Sequence, residues 1–239
     1  MSKHKQPYKA GKPEPGRGNG NRIILVVVLV AVVALVGAGI GVQLWRSRKA
    51  PQAADGALTL QQLNTEQAPV TGEPLVLGRS TAPVTVTLYE DFHCPHCAEF
   101  EDTFGDTLTK AEGSGSVKIE LYPMSFIDAG SKRAANGMAC AAAAGFPQTY
   151  YLGLFANHTL EWNSDQLIKL AGVTGSTATD TFTSCVKNQT YNGWADSINA
   201  TATKNNVSST PTMFLNGRPV DVATLTPEAL TSQINEAST

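Results

Sequence analysis

Basic side chains run short after residue 49. From residue 50 to the end, nine Lys and Arg face nineteen Asp and Glu, a balance of −10 that the whole-chain value of −2 conceals. So acidic a segment argues against a nucleic-acid surface, which needs clustered Lys and Arg. It also argues against adhesion to anionic lipid beyond an anchor. There is no internal repeat and no separate segment for dimerisation. Cysteine is limited to four residues, and Cys140 and Cys185 stand alone. No second cysteine pair therefore supplies the ligand spacing usual in structural zinc sites.

Long apolar runs are equally scarce, with one exception. Residues 23–45, from Ile23 to Trp45, are apolar almost throughout, with Gln43 the clear interruption. At about 1.5 Å per helical residue such a run spans a hydrocarbon core of roughly 30 Å. It exceeds the apolar region of roughly 7–15 residues found in cleaved signal peptides, and no small-x-small site follows it at once. The reading is an uncleaved transmembrane anchor. Six Lys and Arg precede the run and three follow it, which places the N-terminus in the cytoplasm and the remainder in an extracytoplasmic compartment. Residues 1–22, basic and rich in Gly and Pro, are too polar to fold. Residues 46–72 read as a linker.

Against this background one stretch stands out, Cys94-Pro95-His96-Cys97. It follows the alternating β-branched run Val84–Glu90, a predicted strand, and precedes Ala98–Phe104, whose apolar residues recur at helical spacing. A cysteine at a helix N-terminus meets unpaired backbone N–H groups and the positive end of the helix dipole. Such a cysteine is acidified toward a nucleophilic thiolate, which marks Cys94 as the attacking sulfur. Cys97, one turn on, can close or resolve a disulfide with it. Pro95 suits the first helical turn, where an N–H would lack a partner anyway. The competing reading is half of a zinc site built from the two cysteines with His93 and His96. With Cys94 and Cys97 as the working pair, Cys140 and Cys185 are left either to bridge or to remain two buried thiols. A bridge closes a loop of about 45 residues, worth roughly 3–4 kcal/mol by chain entropy.

The remaining elements follow in order. Leu75–Gly78 reads as a short edge strand and Val117–Tyr122 as a strand parallel to the one before the cysteines, since strand, helix and strand at this spacing form a βαβ unit. Ser131–Ala144, Gln148–Phe155, Ser164–Ala171, Thr177–Asn188 and Tyr191–Lys204 read as helices. Thr212–Leu215, Asn216-Gly217 and Arg218–Val220 form a hairpin, for which Asn-Gly is a strong signal. Thr226 caps a last helix with Pro227 at its first position. The result is one α/β domain, residues 73–239, with a helical insertion over about 128–204.

This pattern resembles the thioredoxin fold, and more closely its DsbA-like branch, in the form of membrane-anchored disulfide-forming oxidoreductases of actinobacteria. Asp91-Phe92-His93-Cys94-Pro95-His96-Cys97 carries the resemblance together with Thr210-Pro211-Thr212 before a hairpin, which is similar to the family's cis-proline loop. The resemblance implies that Thr210 and Pro211 bind the substrate backbone beside the redox pair, and that His96 stabilises the Cys94 thiolate. The family often carries an acid six residues before the first cysteine. Leu88 occupies that position here, and Glu90, on the same strand face, is the candidate proton relay. The implied activity is oxidation of thiols in unfolded or reduced exported proteins. It uses no metal and no cofactor beyond the 94–97 disulfide, and a quinone-linked membrane partner reoxidises the pair. Two alternatives remain open: a disulfide isomerase or reductase of the same fold, and a non-catalytic anchored module that binds peptides.

Overall fold

The computed structural model describes residues 60–63, 66–174, 176 and 178–238, all within the unit Pro51–Thr239. The predicted tail and anchor, 1–45, lie outside the described residues. Among the described residues no helix is long and apolar enough to cross a membrane.

Five strands form one sheet in the order β1-β3-β2-β4-β5: β1 Leu75–Gly78, β2 Val84–Asp91, β3 Val117–Met124, β4 Thr212–Leu215 and β5 Arg218–Val220. β2 and β3 are parallel from Val84↔Val117 to Asp91↔Met124, and the other neighbours are antiparallel. The parallel pair is joined by α2, Pro95–Ser114, as the βαβ reading required. Both central strands run slightly further than their sequence pattern indicates. β3 continues through Pro123, paired with Glu90, because a proline is tolerated where its missing N–H is not needed by the ladder.

Alternation along β2 divides the core. Val84, Val86 and Leu88 join the main core with Phe100, Phe104 and Leu108 of α2 and with Leu230 and Ile234 of α8, Pro227–Ala237. Tyr89 points to the other face. There its ring stacks on Tyr122 at 4.5 Å and joins a smaller cluster with Met124, Ala202 and Val207. Thr226 caps α8 and Pro227 opens it, as its sequence implies.

The insertion comprises α3 Ala129–Ala143, α4 Pro147–Phe155, α5 Ser164–Val173, α6 Asp180–Lys187 and α7 Asn192–Lys204. Cys140 and Cys185 form a disulfide between α3 and α6 across 45 residues. Phe146, Tyr150 and Phe182 pack edge-on and tilted beside it, with ring centres 5.1–5.8 Å apart. Part of the predicted linker docks on this domain. The Gln67 side chain exchanges two hydrogen bonds with the Val76 backbone, at 2.7 and 2.8 Å. Gly72 is held by Ser197 and Thr201 of α7. A short helix, α1 Leu60–Leu63, precedes this stretch.

Candidate active site

Cys94 is the N-cap of α2, and Pro95 fills the first helical position. A proline there fixes helical φ and removes one of the donors that would otherwise lack a partner. The Cys94 carbonyl accepts from the N–H groups of Cys97 and Ala98 at 3.1 Å, so the first turn forms directly beneath the cysteine. Cys94 and Cys97 are free thiols and both are buried. Cys94 Sγ lies 3.6 Å from the Thr210 carbonyl oxygen, and the Thr210–Pro211 peptide is cis. The two landmarks predicted from sequence, 116 residues apart, thus meet at one point.

The sulfurs have different surroundings. Burial pushes the Cys97 thiol far above the ordinary cysteine value, and the nearby Glu90 charge adds to this. Hydrogen bonds from the Asp91 backbone and the Thr210 side chain offset only part of the rise. Cys97 therefore holds its proton firmly, while Cys94 stands at the N-terminus of α2.

One histidine precedes the pair and one lies within it, and each ring has a partner other than sulfur. The His96 side chain is 78% exposed and reaches Glu99 Oε2 at 3.1 Å, one turn along the helix. His93 turns into the insertion. Its Nδ1 is 2.8 Å from Asp128 Oδ1, and its Nε2 is 2.8 Å from the Leu160 carbonyl. Asp128 also caps α3 through the Ser131 N–H. Burial raises the Asp128 carboxyl, but the Ser131 N–H and the His93 ring outweigh it and hold the group below its usual value. Gly130 makes room for the ring, since a Cβ there would lie 2.2 Å from His93 Cε1. Among the described residues no group of three or more His, Cys, Asp or Glu is arranged to hold a metal ion.

Asp91 positions the loop, as its place before the motif suggests. It accepts from the His93 N–H at 2.9 Å and from the Ile127 N–H at 3.4 Å. Burial raises its carboxyl, and these donors with the Ser131 side chain oppose the rise. Phe92 anchors the same loop from below, 5.0 Å from the Phe155 ring. The loops that hold Asp91 and His93 also expose three apolar side chains, Phe126, Ile127 and Leu160.

Glu90 departs most from a solvated strand end. It is 1% exposed, and the Tyr151 hydroxyl lies 2.5 Å from its Oε2. The same hydroxyl lies 2.7 Å from Glu101 Oε1. Burial raises the Glu90 carboxyl well above its usual value, the Glu101 charge adds to this, and the Tyr151 hydrogen bond opposes it. Sequence reasoning did not find Tyr151 or Glu101. Glu101 had a faint signal, since it follows Cys97 and Phe100 on the apolar stripe of α2. Tyr151 had none, because it lies in a different helix.

Comparison with known proteins agrees with this geometry. The family model described as thioredoxin matches residues 70–236. Among solved structures, the reduced disulfide bond oxidoreductase DsbG of Mycobacterium tuberculosis is 26% identical with a TM-score of 0.60, covering 71% of this chain and 89% of that one. Reduced DsbA of the same organism is 27% identical with a TM-score of 0.57, covering 73% and 90%. MdbA of Actinomyces oris, a thiol-disulfide oxidoreductase, shares the fold with a TM-score of 0.62 at 18% identity, covering 78% and 99%. No protein with curated annotation matches the sequence.

Proposed function

The chain belongs to the thioredoxin family, and from its site we propose that it is a DsbA-type thiol:disulfide oxidoreductase that introduces disulfides into exported proteins. One observation carries the reading: Cys94 caps α2 and lies 3.6 Å from the Thr210 carbonyl of a cis Thr210–Pro211 peptide. A nucleophilic sulfur, its partner one turn on and a backbone acceptor for an extended chain then share one site.

The reaction starts from a Cys94–Cys97 disulfide. A substrate thiolate attacks Cys94 Sγ, a substrate–Cys94 bond forms, and the Cys94–Cys97 bond breaks with its electron pair on Cys97. Cys97 takes up a proton and is thereby withdrawn from back-attack. A second substrate thiolate then attacks the first substrate sulfur and expels Cys94 as a thiolate, a good leaving group because the helix N-terminus stabilises it. The substrate has lost two electrons and the enzyme has gained them. His96 lends its N–H or charge to the Cys94 thiolate in this scheme. Thr210 and Pro211 align the substrate backbone, and exposed Phe126, Ile127 and Leu160 receive apolar side chains of an unfolded chain.

The domain works outside the cytoplasm. Residues 23–45 form a single-pass anchor with the N-terminus inside, a reading supported by the length of the apolar run and the excess of basic residues before it. A quinone-linked membrane protein reoxidises the pair, and the anchor supports this by keeping the domain at the bilayer. Oxidative refolding of a reduced, disulfide-containing substrate tests the activity. The full-length protein accelerates it and Cys94→Ser does not; equal rates for the two would end the enzyme reading.

A further inference from the structure

A hydroxyl with one proton stands between two carboxyl groups. Tyr151 Oη lies 2.5 Å from Glu90 Oε2 and 2.7 Å from Glu101 Oε1. A carboxylate only accepts, and a phenol donates one hydrogen. For both contacts to be hydrogen bonds, one carboxyl must itself be protonated and donate to Oη. The three groups thus share protons along a line. That line has direction: Glu90 and Tyr151 are buried, whereas Glu101 is half-buried and its neighbours Asp102 and Thr103 are exposed. Glu90 Oε1 is buried without a partner and lies within electrostatic reach of both cysteine sulfurs.

Resting on the oxidoreductase reading above, we propose that Tyr151 and Glu101 act through Glu90 as a side-chain route that carries the Cys97 proton between the redox pair and solvent. The route runs from β2 through α4 to α2 and does not pass through the Cys94–Thr210 contact, so it serves the pair while a polypeptide covers Cys94.

The step it serves is ring closure. In a mixed disulfide of Cys94 with glutathione, Cys97 attacks Cys94 Sγ. The Cys94–Cys97 bond forms, the bond to glutathione breaks, and the electron pair leaves on the glutathione thiolate. The Cys97 proton passes to Glu90. Glu90 hands a proton to Tyr151 Oη, Tyr151 hands its own to Glu101, and Glu101 releases one to water. Reduction of the enzyme by substrate runs the same transfers backward. The groups that bias the line are Cys94, Cys97, Asp102 and Glu112 of α2, all of which disfavour further negative charge. The ion pairs found among the described residues, such as His93–Asp128 and Lys132–Asp196, involve none of its three members. Burial, with the Asp102 charge, raises the Glu101 carboxyl to about 7, suited to exchange with water near neutrality.

The test mixes reduced full-length protein with glutathione disulfide between pH 5 and 9. Acid quenching and mass spectrometry then follow the mixed disulfide and the closed form. The readout is the ratio of the closing rate to the preceding capture rate at Cys94. In Tyr151→Phe, which keeps the ring, this ratio falls roughly ten- to hundredfold and closing shifts to higher pH. Glu101→Gln keeps a hydrogen-bonding oxygen but cannot ionise, and it produces the same fall. Should Tyr151→Phe fail to fold, Glu101→Gln decides alone. A wild-type ratio and pH profile in Glu101→Gln overturn the route and reduce Tyr151 to a prop for Glu90. Failure of the wild-type protein to form the mixed disulfide at all would remove the oxidoreductase reading itself, a distinct outcome.

Discussion

Replacing Glu112 by glutamine should stabilise the protein, and by an amount that depends on pH. Glu112 is fully buried near the C-terminal end of α2. Gln148 Nε2 donates to its Oε2 at 2.9 Å, while Oε1 has no hydrogen-bond partner. Burial, with a contribution from the Glu101 charge, raises its carboxyl from 4.5 to about 8. The group therefore folds as the neutral acid, whereas the unfolded chain ionises above about 4.5. The folded state binds the extra proton between these values, so stability contributed by this site is fully present below pH 4.5 and is lost as pH rises toward 8. At pH 7 the chain must take up a proton across about two and a half pH units, at roughly 1.4 kcal/mol each, a cost of about 3 kcal/mol. Glutamine has the same shape, keeps the bond from Gln148 and needs no proton. Urea unfolding of full-length Glu112→Gln and wild-type protein, followed by the fluorescence of buried Trp162 and Trp194, measures the difference at several pH values. The advantage of the variant should be near zero at pH 4.5 and grow to about 3 kcal/mol at pH 7. An advantage that is absent or flat across that range would refute a protonated Glu112 in the native state.

Three further expectations are accessible to the same methods. Replacing Cys140 and Cys185 together by serine should lower stability by roughly 3–4 kcal/mol, the loop-closure value for 45 residues; a loss below 1 kcal/mol would show that the unfolded chain is already ordered there. Gly130→Ala should cost about 1–3 kcal/mol by overpacking, because the new methyl meets His93 Cε1 at 2.2 Å and the Glu161 carbonyl at 2.8 Å. It should also displace the His93 ring from Asp128, visible as a change in the imidazole NMR resonances. If Cys94 is the stabilised thiolate, protein reduced only at Cys94 and Cys97 should melt higher than the oxidised form, as scanning calorimetry would record; the opposite order would point to a reductase.

Features written in consecutive residues were legible before the fold was known. The cysteine pair at the β2–α2 junction, the Asn216-Gly217 hairpin and the Thr226 cap each depend on neighbours in the chain, and each appears in the structure where its local chemistry places it. Contacts between distant residues were legible only where the cysteine count or the family resemblance supplied them, as for Cys140–Cys185 and for Cys94 beside Thr210. Glu90 meets Tyr151 across 61 positions, and His93 meets the Leu160 carbonyl across 67. Helical periodicity also misleads along α2. Glu101 and Glu112 are eleven residues apart, just over three full turns, so they share one face with Phe104 and Leu108. A carboxylate reads as a solvent-facing position, yet the insertion covers this face and supplies Tyr151 and Gln148 to meet both acids.

The two anchors of the His93 ring set a limit on transplantation. Residues 94–97 could be copied into another scaffold in a single cloning step, but the Asp128 carboxylate and the Leu160 carbonyl would stay behind, since both belong to the helical insertion, one at the cap of α3 and one in the loop between α4 and α5. A graft of the tetrapeptide alone would inherit two thiols and a loop free to turn. To move the reactivity of this centre, an engineer would have to move a wall of the insertion along with it.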